Sequence, residues 1–265
     1  MIARVFLDGI GVWMPGLADW PQARAVLRGE APLASETPRF SGTLLTGELR
    51  RRSGDHIRLA VHVAKEAVSH ALIDSAQLSS VFASSESDGQ VTHHICEAVT
   101  QPQPAVSPTR FHNSVNNAAA GYWSMAVQSL KPSTSVAGYD ATFAVGLLEA
   151  YAQVLSEHEA VLLVAHDMPM PEPLNSARPM TVSAGVAWVL TPARGPRSLV
   201  ELTASIDAGA APTPLHDPAL EALRVGNPAA RALPALAAVA HGEPARVHLP
   251  YVGDLSLALE LTPCN

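Results

Sequence analysis

The sequence is poor in charged residues. Lys, Arg, Asp and Glu make up 15% of its 265 residues, against roughly 25% in an average soluble protein. Hydrophobic residues make up 48%, so there is little charge to cover an exposed surface. We therefore expect part of the surface to be hidden against a partner.

Basic clusters are also scarce. No basic stretch is longer than Arg50-Arg51-Arg52, and the formal net charge is −7. Nucleic-acid binding depends on clustered Lys and Arg that displace counterions from the phosphates. The sequence therefore predicts no nucleic-acid partner.

Cysteines and long apolar runs are too few to support a disulfide framework or a membrane span. The two cysteines, Cys96 and Cys264, lie far apart in the sequence. No apolar run reaches membrane-spanning length, and the strand-like residues 2–7 lack the apolar core and cleavage site of a signal peptide. We expect a cytoplasmic protein.

Segments with the patterns of strands and helices alternate along the chain, which predicts a layered α/β fold in one domain. Beyond Asp167 the pattern changes to prolines and successive strands, so we expect an antiparallel or edge region there. The predicted strands are residues 5–13, 79–85, 134–138, 161–165, 182–190, 198–205 and 255–261, and the predicted helices are 20–27, 59–71, 91–99, 113–130, 142–155 and 229–240.

Residues 111–123 form the most informative segment. Three asparagines and a histidine come before a helix rich in Ala and Gly. Asparagine amides can cap a helix start, and the small residues suit close packing on all sides. A short strand and the turn Gly138-Tyr139-Asp140 follow, and ligands of open α/β sheets gather beyond the carboxyl ends of strands. We therefore expect a functional site here.

These landmarks, in this order, resemble the N-terminal half of a β-ketoacyl synthase. The matching segments are residues 5–16, 52–72, 111–137 and 178–190. The resemblance covers about residues 3–192. It implies a thiolase-like layered fold with a mixed sheet and a truncated C-terminal half. In this interpretation residues 1–265 form one ketosynthase-like domain, in which 193–265 are a shortened C-terminal extension.

The run Phe-His-Asn-Ser-Val with Ala-Ala-Gly-Tyr-Trp resembles short ketosynthase-like proteins associated with aryl polyene and xanthomonadin-type pigment synthases. The resemblance implies a chain-length-factor subunit without a cofactor. Such a subunit pairs with a full-length β-ketoacyl-ACP synthase and meets acyl carrier protein only indirectly. The implied interface or tunnel residues are Phe111, His112, Asn113, Asn117, Ala118, Gly121, Tyr122, Ser135, Val136 and Gly138.

Asp140 stands where the family has its nucleophilic cysteine. A carboxylate cannot form the thioester, and neither Cys96 nor Cys264 belongs to this turn. The resemblance therefore implies no catalytic residue in this chain. Asp140 has two interpretations: it caps the helix that starts near Thr142, or it contacts the tunnel or interface of the partner.

Three other clusters invite chemical interpretations that we do not adopt. His93, His94 and Cys96 point to different sides of a helix, which argues against a metal site. The loop 84–89 lacks the patterns of a hydrolase or a phosphate-binding loop, so we expect an exposed or interface loop. The pairs His166-Asp167 and His216-Asp217 lack an identifiable activated serine, so we expect no catalytic triad.

Two alternative functions stay open at this point. The chain could be a stand-alone enzyme in which Asp140 or a histidine has a new acid or base role on the thiolase scaffold. It could also be a homodimeric acyl-binding protein. The low charge content fits a heterodimer and a homodimer equally well.

Overall fold

The computed structural model describes residues 3–40 and 42–264, which build one mixed sheet of eight strands. The spatial order is β3-β2-β4-β5-β1-β6-β8-β7; β2 runs parallel to β3 and β4, and all other neighbours are antiparallel. The strands are β1 (Val5–Trp13), β2 (Ser79–Ala83), β3 (Ser133–Val136), β4 (Val161–Asp167), β5 (Ala184–Thr191), β6 (Val200–Ala208), β7 (Ala245–Pro250) and β8 (Leu255–Pro263).

Helices cover both faces of the sheet. Alternate residues of β4 belong to different cores: Leu162 and Val164 lie on the face that packs against α3 and α6, and Leu163 lies on the face covered by α1, α7 and α10. The helices are α1 (Trp20–Leu27), α2 (Gly47–Arg52), α3 (Asp55–Ala71), α4 (Gly89–Val99), α5 (Pro108–Asn113), α6 (Ala118–Val127), α7 (Thr142–Glu157), α8 (Leu174–Ala177), α9 (Pro218–Gly226) and α10 (Leu233–His241).

Polar side chains of α3 complete the hydrogen bonding of β1. β1 pairs with β6 only over Val5–Leu7, so N–H groups further along β1 need other acceptors. Glu66 accepts from the Val12 N–H at 2.9 Å, and His70 Nδ1 accepts from the Ile10 N–H at 3.1 Å. Burial raises the pKa of Glu66 to about 7. These two hydrogen bonds therefore link α3 directly to the backbone of β1.

The predicted helix 113–130 is wrong at its start. The chain forms α5, a break, and then the shorter α6. Ser114 follows α5, and its hydroxyl donates to the Phe111 carbonyl at 2.8 Å. Such side-chain bonds offer the backbone an alternative to continuing the helix. At the other end, Gln128 takes the left-handed conformation and α6 stops before Pro132.

The predicted antiparallel region beyond Asp167 is confirmed, but the sequence did not predict β7, α8 or α9. Asp217 begins α9 by accepting from the N–H groups of Ala219 and Leu220. Pro218 and Pro234 both lie in the first turn of a helix, where a missing N–H costs nothing. Among the described residues, no helix is both long and apolar enough to cross a bilayer.

Candidate functional site: an open groove and a strand-to-helix turn

An apolar groove of about 520 Å³ lies along α5 and α6. Phe111 is 68% exposed and Met125 is 50% exposed. At Gly121 an added Cβ would meet no atom within 4 Å. One face of α6, which the sequence suggested would be packed on all sides, is therefore open. The groove is lined by Phe111, His112, Val115, Asn117, Ala118, Gly121 and Met125, with Tyr122 beneath.

Asn113 supports the groove from below. It is buried, its Nδ2 donates to the Arg52 carbonyl at 2.8 Å, and its Oδ1 accepts from the Tyr122 hydroxyl at 3.1 Å. It therefore joins the end of α2 to α5 and α6. Asn117 precedes α6 but its side chain makes no capping hydrogen bond, so the predicted capping by an asparagine is wrong at this helix start.

The edge strand β3 lies at one end of the sheet. Among the described strands it pairs only with β2. Ser135 and Val136 are half-buried, and the outer side of β3 presents backbone groups of the kind that pair with another chain. At Gly138 an added Cβ would collide with Val145, so the turn after β3 packs tightly against α7.

The turn after β3 presents Tyr139 and Asp140. Tyr139 has the left-handed backbone conformation, with φ of 55°, and is 63% exposed. Asp140 Oδ1 lies 3.1 Å from Arg178 Nη1. Helix α7 begins after Ala141 without a side-chain cap. The capping interpretation of Asp140 is therefore wrong, because its carboxylate is turned to an arginine.

Arg178 joins the ends of two parallel strands. Its Nε contacts the Glu86 carboxylate after β2, and its Cζ lies 3.5 Å from the centre of the Tyr139 ring after β3. Burial raises the pKa of Glu86, although the guanidinium acts in the opposite direction. Arg231 lies 4.0 Å from Asp140. We call Glu86, Tyr139, Asp140, Arg178 and Arg231 the Arg178 cluster.

The comparison with family models identifies this architecture. Residues 20–240 match the model described as the β-ketoacyl synthase N-terminal domain. The chain belongs to that family.

Solved structures of this family have the same fold. A chain of the ketosynthase in complex with its chain length factor from Xenorhabdus doucetiae has a TM-score of 0.74 and 20% identity, over 97% of this chain and 99% of that one. The ishigamide ketosynthase/chain length factor has a TM-score of 0.77 and 13% identity, over 99% of this chain and 100% of that one. A β-ketoacyl synthase from Burkholderia phymatum has a TM-score of 0.74 and 11% identity, over 100% of both chains. The predicted thiolase-like fold is confirmed.

No curated protein matches the sequence.

The sequence did not predict the Arg178 cluster. It placed Tyr139 and Asp140 at the turn and Arg178 in a family-like segment, but it did not indicate that these residues contact one another. The contacts that join them cross between separate loops, and no spacing pattern connects those loops.

A second polar cluster of this ketosynthase-like chain is buried at the ends of β2 and β4. The Ser84 hydroxyl donates to Asp167 Oδ1 at 2.9 Å and lies 3.3 Å from His56 Nε2. Burial raises the pKa of Asp167 to about 7 and lowers the pKa of His56 to about 4. The Ser84 hydroxyl lies closer to the carboxyl group than to the histidine, whereas an activated serine nucleophile gives its proton to a histidine.

The loop 84–89 is not an exposed loop, because Ser84, Asp88 and Gly89 are buried and its other three residues are half-buried. His93, His94 and Cys96 lie in α4, and the pair His216-Asp217 directly precedes α9. His93 faces Glu97 at 3.3 Å, and Cys96 is exposed. Within residues 3–40 and 42–264, no group of three or more His, Cys, Asp or Glu side chains could hold a metal ion.

Proposed function

We propose that the chain is a non-catalytic chain-length-factor subunit of aryl polyene-type biosynthesis. In this function it pairs with an active β-ketoacyl-ACP synthase and shapes the acyl tunnel of the pair. The observation that carries the proposal is the open groove of α5 and α6, on a scaffold of this family whose turn after β3 holds Tyr139 and Asp140 and no cysteine. The pair works in the cytoplasm, and acyl carrier protein meets this chain only through the ketosynthase.

The surface chemistry supports a protein partner. Exposed apolar patches of folded proteins mark interaction sites, and the groove exposes Phe111, Val115 and Met125 together. The outer side of β3 offers main-chain hydrogen bonds to a strand of another chain. Two of the similar solved structures are a ketosynthase in complex with its chain length factor and the ishigamide ketosynthase/chain length factor.

The chemistry of the turn supports a non-catalytic role. Thioester formation needs a thiolate. Tyr139 and Asp140 occupy the turn, whereas Cys96 lies in α4 and Cys264 follows β8. The carboxylate of Asp140 is engaged by Arg178. An active partner would therefore supply the nucleophile.

The test is co-expression with a full-length β-ketoacyl-ACP synthase from the same organism. Size-exclusion chromatography with mass determination gives the stoichiometry, and a malonyl-extension assay is run on the pair and on each chain alone. We expect a one-to-one complex that extends acyl chains only as a pair. Extension by this chain alone would favour the stand-alone enzyme, and a ligand-carrying homodimer that ignores the ketosynthase would favour the acyl-binding protein.

A matched pair of variants locates the interface. Met125→Asp places a charge in the groove, and Val252→Asp places one in the turn between β7 and β8, where Val252 is 61% exposed. We expect Met125→Asp to dissociate the complex, because a buried unpaired charge is costly, and Val252→Asp to leave it intact. Equal effects of both variants would contradict this location of the interface.

A further inference from the structure

Backbone strain in this chain is concentrated at two loops. Among the described residues, five positions other than glycine have positive φ. Three of them, Leu72, Gln128 and His158, directly follow α3, α6 and α7 as left-handed C-cap residues, which is a common way for a helix to end. The remaining two are Ser87 and Tyr139. They follow the neighbouring parallel strands β2 and β3.

Of these two residues, Tyr139 has the higher conformational free energy in the left-handed region. A left-handed conformation is unfavourable for a bulky side chain, and such strain persists only where the surroundings enforce it. Tyr139 is nevertheless 63% exposed as a residue, so burial of its side chain in the core does not offset the strain. Strained residues of this kind occur preferentially at functional sites.

The surroundings that hold Tyr139 are charged. Arg178 lies over one face of the ring at 3.5 Å, and its guanidinium is fixed by Glu86 on one side and by Asp140, at 3.1 Å, on the other. The side chains of Arg178 and Glu86 are only 14% and 13% exposed. One face of the ring is thus covered by a fixed cation.

The same loops are connected to the groove. The hydroxyl of Ser87 donates to Asn116 Oδ1 at 2.8 Å, and Asn116 lies between α5 and α6. Glu86, next to Ser87, contacts Arg178, which covers Tyr139. Tyr139 also follows the free edge strand β3 by three residues. Contacts between neighbouring residues therefore connect the loop of Tyr139 to both features that support a ketosynthase partner.

We propose that Tyr139 is an anchor residue for the ketosynthase partner, and that Arg178 is the positioning residue that holds its ring in the binding orientation. This inference rests on the proposed function. Anchors at protein interfaces are enriched in tyrosine and arginine, and rigid aromatic rings lose little entropy on binding. The partner is expected to offer a pocket that is apolar at its walls and can accept a hydrogen bond from the phenol hydroxyl.

The experiment measures the dissociation constant between the purified chain and the ketosynthase, together with the melting temperature of the free chain. We expect Tyr139→Ala to raise the dissociation constant at least tenfold, and the control Val252→Ala to leave it within about twofold. If the wild-type chain does not bind the ketosynthase, the proposed function and the anchor both fail. If the wild type binds and Tyr139→Ala binds equally well, the anchor alone fails.

Tyr139→Gly separates binding from folding. Glycine adopts the left-handed conformation without strain, so we expect an unchanged or higher melting temperature of the free chain together with the same loss of affinity. If Tyr139→Gly binds the ketosynthase with the affinity of the wild type, the ring is not in contact with the partner. A melting temperature several degrees lower would show that the ring serves the fold of its own chain, and either result overturns the proposal.

A double-mutant cycle tests the positioning role of Arg178. Arg178→Gln should weaken binding severalfold when Tyr139 is present and should add nothing in the Tyr139→Gly background. A fully additive effect would mean that Arg178 acts independently of the ring, which contradicts the positioning role.

Discussion

At the residue scale, Asp167 is a carboxyl group whose protonation is coupled to folding. It is fully buried, and it accepts hydrogen bonds from the Ser84 hydroxyl and the Ser85 N–H. Burial raises its pKa from 3.8 to about 7. A raised carboxyl pKa means that the folded state holds the proton more tightly than the unfolded state. The protonated Asp167 therefore makes its full contribution to the free energy of unfolding below the unfolded pKa, and this contribution is lost as the pH rises through about 7.

We therefore predict a pH-dependent difference in stability between the wild type and Asp167→Asn. As the pH rises from about 4 to about 7.5, the free energy of unfolding of the wild type should fall relative to the variant, by up to about 4 kcal/mol. Urea unfolding at several pH values measures the difference. Glu66 is present in both proteins, so its own raised pKa cancels. A difference that does not change with pH would contradict the prediction.

At the element scale, the packing of α3 on β1 depends on glycines that present no side chain. A Cβ at Gly11 would collide with the carbonyl of Val63, and one at Gly9 with the carbonyl of Ala67. These are backbone atoms of a long buried helix, which cannot rotate away as a flexible side chain would. The sequence shows glycines in an apolar strand, but only the packing shows what approaches them.

Two glycine-to-alanine variants should consequently have opposite effects on stability. We expect Gly11→Ala to lower the free energy of unfolding by about 1 to 3 kcal/mol, because α3 must shift. Gly121→Ala, in the open face of α6, should raise it by about 0.5 to 1 kcal/mol, because alanine restricts the unfolded chain and favours the helix. Denaturant unfolding measures both. A loss of stability in Gly121→Ala would show that its surroundings are not open.

The helices α5 and α6 show how far local patterns reach. The small residues of 118–127 predicted a helix, and a helix is found there. The sequence predicted the wrong start for this helix. The hydrogen bond from the Ser114 hydroxyl to the Phe111 carbonyl competes with continuation of the helix, and a single bond of this kind cannot be predicted from a sequence pattern. Asn113 looked like a cap or an interface residue, yet it bonds to Arg52 and Tyr122 beneath the groove. Those partners come from other elements.

At the scale of the whole molecule, the groove is the surface through which this chain would set product length. Phe111 is 68% exposed and Ala118 is half-buried in the same groove. In an enclosed apolar tunnel, one methylene is worth about 1 to 3 kcal/mol. The size of these two side chains should therefore decide which acyl length fits.

In the assembled pair, we predict longer products with Phe111→Ala and shorter products with Ala118→Phe. Mass spectrometry of the products of the malonyl-extension assay measures the shift. Ile206→Ala, on the exposed side of β6 and away from the groove, serves as the control. Identical product lengths in all three variants and the wild type would mean that the groove does not border the tunnel.

The sequence by itself determined the layered α/β architecture and the family, and it predicts that the turn after β3 lacks the family's nucleophilic cysteine. Hydrophobic periodicity is a local property, so the apolar run of β4 and the spacing of α3 are readable without the fold. The β-ketoacyl synthase resemblance likewise rests on contiguous segments, and the family match over residues 20–240 agrees with it.

Only the tertiary structure decided which polar side chains meet. Ser84 and Asp167 are 83 positions apart, and Asp140 and Arg178 are 38 positions apart. Such contacts leave no periodic signal, because a hydrogen bond or an ion pair depends on where two strands end in space. The pairing of β2 with β3 and β4 brings together the loops that follow these strands. Only this arrangement produces the buried pair of Ser84 and Asp167 and the Arg178 cluster, in which Tyr139 is exposed.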